Sequence, residues 1–284
     1  MVRLGVHVSI VGGMDKSVDR ALDLGCDTFQ IFSSNPRSWR SKPISDLERE
    51  RFVARLRESG LHLAIDHMPY LPNLASSKED VYTKSVQALT TELMRCQILG
   101  IPYLVTHLGS HLGMGQKKGL ELIGNALETA FSSAENDVVL LLENSAGTKN
   151  SMGSTFEDIA AIIESSNLNR RRLGVCLDTC HLHASGYELR TSLGLETTLD
   201  QFQSCIGLDR LLLIHLNDSR GIQGSRLDRH EHIGLGEIGI QGFRAILGNP
   251  VLQSLPMILE TPVNSYRDDR GNIAVIRQLA SERK

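Results

Sequence analysis

Short apolar runs alternate along this chain with longer stretches of helical periodicity. The runs occupy residues 4–8, 28–32, 61–66, 103–106, 138–142, 173–177, 211–214 and 257–259. Each is too short for a buried helix and rich enough in Val, Ile and Leu for a strand covered on both faces. Between them, residues 76–100 place Val81, Val86, Leu89, Leu93, Ile98 and Leu99 on a period near 3.6, the pattern of an amphipathic helix. Residues 120–131 and 156–163 read the same way. Gly25, Gly60 and Gly100 stand where helix C-caps are needed, and Ser154-Thr155-Phe156-Glu157 resembles a capping box. Eight strand–helix alternations predict an α/β fold, a (β/α)8 TIM barrel formed by one domain over residues 1–284. An open doubly wound sheet is the alternative. No GxGxxG or GxxxxGK[ST] loop follows any run, which disfavours nucleotide-binding versions of that sheet.

Composition narrows the class without deciding it. The 284 residues are 41% hydrophobic and 22% charged, values of a globular protein with a sizeable core. No apolar stretch approaches a membrane span, and the N-terminus lacks the features of a signal peptide. The five cysteines, Cys26, Cys96, Cys176, Cys180 and Cys205, form no disulfide framework. A reducing, cytoplasmic location is expected. The net charge of −3 argues at first against a nucleic-acid partner.

The chemistry lies at the ends of the runs. They finish on His67, His107, Glu143, Asp178, His215 and Glu260, spaced by 35 to 45 residues, about one βα unit each. In a barrel such positions converge on the C-terminal face, where active sites lie. One such residue is most simply a satisfied polar group at a strand terminus. Six carboxylates and imidazoles on one rim would repel or remain poorly solvated unless a cation joined them. The mixture of imidazole and carboxylate favours zinc over magnesium or calcium. His181, Asp228 and His230 are expected in loops on the same face, with Asp228-x-His230 as a metal clip. Nine ligands at three per open site give a trinuclear centre, with two metals as the fallback. Cys176 and Cys180 flank Asp178 but read as small buried packing residues.

The motifs around these residues resemble the endonuclease IV family of apurinic/apyrimidinic (AP) endonucleases. They include Gly5-Val6-His7-Val8-Ser9, Asn35-Pro36-Arg37-Ser38-Trp39, His67-Met68-Pro69-Tyr70-Leu71-Pro72-Asn73 and His107-Leu108-Gly109-Ser110-His111. Sharper matches are Asp178-Thr179-Cys180-His181, His215-Leu216-Asn217-Asp218-Ser219, Asp228-Arg229-His230-Glu231 and Leu259-Glu260-Thr261-Pro262. The likeness extends from residue 3 to about residue 265.

The resemblance implies a barrel with three Zn²⁺ ions that cleaves double-stranded DNA 5′ to an abasic site during base excision repair. The products would be a 3′-hydroxyl and a 5′-deoxyribose phosphate, and 3′-blocking groups would be removed too. Carried over, His67, His107 and Glu143 are ligands of one zinc. Glu143 bridges to a second, with Asp178, His215 and Glu260. His181, Asp228 and His230 hold a third, and Mn²⁺ is an option at one site. Glu143 and Glu260 are expected to position the attacking hydroxide. Leu108 and His183 depart from the family's pattern, at positions that shape loops.

DNA contacts are expected from Arg37, Trp39, Tyr70 and Leu71. Arg37 would grip phosphate, and Tyr70-Leu71 would enter the gap beside an extruded nucleotide. Packing against barrel helices is the plainer reading for Trp39 and Tyr70. His7 and His111 are expected to face the same rim, and His62 the opposite end. A metal-dependent sugar isomerase or epimerase on the same barrel is the main rival, and it would not need the Asp228–His230 clip. A non-catalytic zinc-stabilised scaffold is a weaker one. A monomer is expected. Three Zn²⁺ would turn −3 into about +3, concentrated on one rim, so the overall charge is compatible with DNA.

Overall fold

The computed structural model describes residues 2–134, 136–166 and 168–282. Among these residues ten strands follow one another as β1 (Arg3–Val6), β2 (Phe29–Ile31), β3 (Ala64–His67), β4 (Tyr103–His107), β5 (Val139–Glu143), β6 (Leu173–Asp178), β7 (Leu211–His215), β8 (Asp218–Ser219), β9 (His230–Glu231) and β10 (Pro256–Leu259). Eight of them form one parallel sheet in the order β1-β10-β7-β6-β5-β4-β3-β2. A parallel bridge between His7 and Gln30 joins the two ends of that sheet, with the Val8 amide donating to the Gln30 carbonyl at 2.8 Å. The result is the nearly closed barrel predicted from the alternation of runs. The backbones run so close at this seam that a Cβ on Gly5 would lie 1.9 Å from the Thr28 carbonyl oxygen. Only glycine fits there.

Among the described residues ten α-helices accompany the strands: α1 (Asp15–Leu24), α2 (Asp46–Ser59), α3 (Glu79–Leu99), α4 (Gln116–Ser133), α5 (Phe156–Ser165), α6 (Thr179–Ser185), α7 (Ser192–Cys205), α8 (Gly239–Gly248), α9 (Pro250–Gln253) and α10 (Asp269–Ser281). Gly25, Gly60 and Gly100 close α1, α2 and α3 in the left-handed conformation, as expected from their positions. The start of α5 differs from expectation. Thr155, one residue past Ser154, is the N-cap, and its hydroxyl accepts from the Asp158 amide. A capping box with both reciprocal bonds forms instead at Ser45 and Glu48. Among the described residues no helix is long and apolar enough to cross a membrane.

The core has two parts. A large cluster fills the space between sheet and helices. A small one, Ile65, Val105, Leu141, Cys176, Leu213 and Ile258, fills the barrel interior. Because side chains alternate along a strand, the next inward position lies two residues on. From these six residues, that step reaches His67, His107, Glu143, Asp178, His215 and Glu260. The same step on the remaining strands leads from Gly5 to His7 and from Thr28 to Gln30. Each of the eight barrel strands thus contributes one polar residue to a single layer above an apolar floor.

Candidate metal centre

Glu143 lies at the middle of this layer. It is fully buried, and four imidazoles face it. His67 Nε2 and His107 Nδ1 lie 3.3 Å from Oε2. His215 Nδ1 lies 3.1 Å and His181 Nδ1 3.5 Å from Oε1. Glu260 stands beside it, with Oε2 3.3 Å from His215 Nδ1. Burial alone would raise the pKa of Glu143, but His107, His215 and His67 outweigh it and hold the carboxyl well below its ordinary range. Burial likewise opposes charge on His181, yet Asp178, Asp228 and Glu143 push it up to about 10. His215 is held well above its ordinary value despite its burial, by Cys176, Glu260 and Glu143. In the protein without metal, protons do the work of cations here.

The outer faces of the rings fix their orientation. His67 Nδ1 donates to the Met68 carbonyl at 2.7 Å. His230 Nδ1 donates to the Glu260 carbonyl at 2.9 Å. His215 Nε2 donates to Gln30 Oε1 at 2.8 Å. A carbonyl oxygen only accepts, so each of these nitrogens carries a hydrogen. Once such a ring is neutral, its opposite nitrogen presents a lone pair to a carboxylate. Two acceptors in contact repel unless a cation lies between them. His230 Nε2 shows this most plainly. It is buried and without a hydrogen-bond partner among the described residues, and it faces Asp178 Oδ2 at 3.6 Å. This donor set fits divalent metal, because ligating histidines characteristically give their other N–H to a carbonyl or carboxylate.

Eight of the nine residues expected as ligands assemble into three groups with mutually close donor atoms. These are His67–His107–Glu143, Glu143–Asp178–His215–Glu260 and Asp178–His181–His230. The first two coincide with the sets implied by the family resemblance. The third group holds Asp178 beside His181 and His230 and leaves out Asp228. Asp228 reaches in from the rim instead, with Oδ1 3.2 Å from His181 Nε2. Two of the three expected loop positions also need correction. His181 is in the first turn of α6, where Asp178 caps the helix by accepting the His181 amide at 2.7 Å. His230 is on β9, paired with β8. Asp218 ties that hairpin to the turn that follows it, because its buried carboxylate accepts the amides of Gly234, Gly236 and Ile238 at 2.8, 3.0 and 3.1 Å.

A pocket of about 400 Å³ opens above the groups, lined by His7, Tyr70, His107, Asp228, Glu260 and Val263 among others. Tyr70 is 62% exposed at its mouth and meets Phe32 edge-on at 5.0 Å. Leu71 follows it at the surface. Arg37 is exposed on the neighbouring loop. Trp39 is not in this pocket. It lies in a separate hollow beside Pro69 and Pro72, with the Lys84 ammonium of α3 6.0 Å from its ring. His111 turns inward on its own loop and accepts the Gly113 and Gly115 amides. His62 is outside the layer, beside Arg3.

The two departures from the family pattern are both buried. A Cβ on Gly153 would lie 2.3 Å from Leu108 Cδ1, so the leucine relies on that glycine. His183 is enclosed, and neither ring nitrogen has a partner among the described residues. Burial lowers its pKa, and it packs as a neutral ring. Cys176 and Cys180 are buried, and burial raises the Cys176 thiol to about 12 and pushes the Cys180 thiol well up too, so neither offers a thiolate in the protein without metal.

Sequence reasoning missed a buried network beneath the loop at residues 33–42. Ser33 and Ser34 hydroxyls donate to Glu92 at 2.5 and 2.7 Å. Arg95 lies 3.5 Å from Glu92 and donates to the Lys42 carbonyl at 2.7 Å. Asp66, pushed up to about 8 by burial and by Glu92, accepts the Ser33 amide. Glu92 and Arg95 are i, i+3 on α3, and a charged pair on the barrel side of a helix is the signal that could have found them.

An eight-stranded parallel barrel with a polar metal-ligating layer at its C-terminal face defines the class, and the family described as xylose isomerase-like TIM barrel matches residues 18–279. Within that class the chain belongs to the endonuclease IV family of AP endonucleases. It is 53% identical to the probable endonuclease 4 of Methanoculleus marisnigri over 281 residues, covering 99% of both chains. The probable endonuclease 4 of Chloroflexus aurantiacus is 41% identical, over 98% of each. The crystal structure of endonuclease IV from Thermus thermophilus superposes with a TM-score of 0.87 at 36% identity, over 99% of both chains. A D-tagatose 3-epimerase-like protein shares the fold at 19% identity, with a TM-score of 0.72, over 98% of this chain and 99% of its own.

Proposed function

We propose that this chain is a zinc-dependent AP endonuclease of base excision repair, working as one barrel domain on double-stranded DNA. It hydrolyses the phosphodiester 5′ to an abasic site, leaving a 3′-hydroxyl and a 5′-deoxyribose phosphate, and it also clears 3′-blocking groups. The observation that carries this reading is the layer of imidazoles whose outward N–H groups are engaged while their inward nitrogens face carboxylates. His67, His107 and Glu143 would hold one metal. Glu143, Asp178, His215 and Glu260 would hold a second, and His181, His230 and Asp178 or Asp228 a third. Three Zn²⁺ suit this donor mixture, with Mn²⁺ as an option at one. Bound divalent metals supply a lowered water pKa and charge neutralisation at phosphorus.

In the reaction, water oxygen bonds to phosphorus, the bond from phosphorus to the 3′-oxygen breaks, and that oxygen leaves as a hydroxyl. Glu143 and Glu260 accept hydrogen bonds from the attacking water and fix its line of approach. His7 and Tyr70, which line the pocket, border the sugar-phosphate. Tyr70 and Leu71 fill the gap beside the displaced abasic nucleotide, and Arg37 holds a flanking phosphate. The chain acts as a monomer in the cytoplasm.

The test is chelated protein, reloaded with zinc, on a duplex with one abasic site. Nicking on the 5′ side that chelator abolishes and zinc restores is expected. Absence of a nick in the zinc-loaded protein, or turnover of ketoses instead, refutes the reading.

A further inference from the structure

Seven of the eight residues in the barrel's polar layer are histidine or carboxylate. The eighth is Gln30, and it is fully buried. Both ends of its amide are engaged. Oε1 accepts from His215 Nε2 at 2.8 Å. Nε2 donates to Glu260 Oε1 at 2.7 Å and lies 3.0 Å from His7 Nδ1. The orientation of the amide follows from these partners. Rotated by 180°, it would set its oxygen against the Glu260 carboxylate, two acceptors in contact. Its NH₂ would then meet His215 Nε2 and force the imidazole hydrogen onto Nδ1.

We infer that Gln30 is a positioning residue that directs His215 Nδ1 and Glu260 Oε2 together toward one metal. The inference rests on the metal reading above. In the observed orientation His215 keeps its hydrogen on Nε2, so the neutral ring that a metal needs presents its lone pair at Nδ1, toward Glu143 and Glu260. The same amide restrains one oxygen of Glu260 and leaves the other facing His215 Nδ1 at 3.3 Å. Gln30 has the means to hold this orientation because its backbone is fixed at the seam. The His7 bridge and the Val8 amide both lock it there. The metal would therefore meet a ligand pair already aligned, and less ordering would accompany its binding.

The experiment compares full-length wild type, Q30M and Q30E. Q30M preserves length and volume without hydrogen bonds, and Q30E keeps an acceptor for His215 Nε2–H. Each chelated protein is titrated with zinc chloride against a chromophoric chelator. The imidazole N–H proton of His215 is followed by NMR in the zinc-loaded state. One site of Q30M is expected to bind zinc roughly 10- to 100-fold more weakly, the usual effect of losing such a partner. The slowly exchanging His215 N–H signal should be lost in Q30M and kept in Q30E. Q30L stands in for Q30M if that variant does not fold. Wild-type affinity in the apolar variant, with the N–H signal retained, overturns the role of Gln30 alone. Failure of wild type to bind zinc overturns the metal reading and this inference with it.

Discussion

His230 turns Nδ1 to the Glu260 carbonyl at 2.9 Å, which leaves Nε2 buried 3.6 Å from Asp178 Oδ2 without a hydrogen-bond partner among the described residues. A buried lone pair facing a carboxylate is costly unless a cation separates them. His230→Ala should therefore cost one equivalent of bound zinc and leave the others. Elemental analysis after dialysis would read this, with far-ultraviolet circular dichroism confirming the fold. Full zinc content in the variant would dismiss His230 as a ligand.

Without metal, His67, His181 and His215 favour the imidazolium form beside carboxylates, and the stability of the centre depends on pH. His181 titrates at about 10 in the fold, against about 6.5 when unfolded. A raised folded pKa stabilises fully below the unfolded value and is lost as pH climbs through the folded one. His67 and His215 shift in the same direction. The chelated protein should thus lose thermal stability from about pH 6.5 toward pH 10. Zinc binding has the opposite sign, because ligands must shed protons. The gap in Tm between zinc-loaded and chelated protein should widen with pH. Parallel curves would contradict the cluster.

Tyr70 is exposed at the pocket mouth yet touches none of the metal groups through a hydrogen bond to them. Tyr70→Ala should lower affinity for abasic duplex by about 1–3 kcal/mol, the scale of a stacking contact. Zinc content should not change. A filter-binding or anisotropy titration decides it, and equal affinity would remove Tyr70 from the interface.

Arg37 and its anchor make a paired test. Arg37→Ala should weaken DNA binding uniformly across sequences and reduce the salt slope by about 1, as for one phosphate contact. Arg95→Met, buried beneath the same loop, releases the Lys42 carbonyl and leaves Glu92 without its cation. It should destabilise the protein by roughly 3–5 kcal/mol as an uncompensated buried charge, with a Tm drop that Arg37→Ala does not share. Equal Tm values for the two variants would contradict the anchoring role of Arg95.

Much of the fold was legible because two periodicities coincide. Alternation by two places every second strand residue inside the barrel, and a repeat near 35 residues returns a ligand at each strand end. His67, His107, Glu143, Asp178, His215 and Glu260 were readable on that basis alone. The elements that carry His181 and His230 were less so. Both were expected in loops, but one starts a helix and the other is on a two-residue strand. Segments that short hold their shape through distant partners such as Asp218, and carry no periodic signal. The capping box expected at Ser154 failed for a related reason. Adjacent Ser154 and Thr155 are both competent caps, and residue type alone does not choose between them.

The sequence by itself determined the barrel, the residues available as ligands and the family, because these depend on residue type and spacing along the chain. Only the tertiary structure decided which nitrogen of each imidazole faces inward. It also decided that Asp178 lies beside His181 and His230, that Trp39 lines a separate hollow, and that Gln30 completes the polar layer. Those outcomes depend on partners far apart in sequence, such as Gln30 with His215 and Glu260, or Ser33 with Glu92. A hydrogen bond between them exists only once the barrel has closed and brought its first two strands edge to edge.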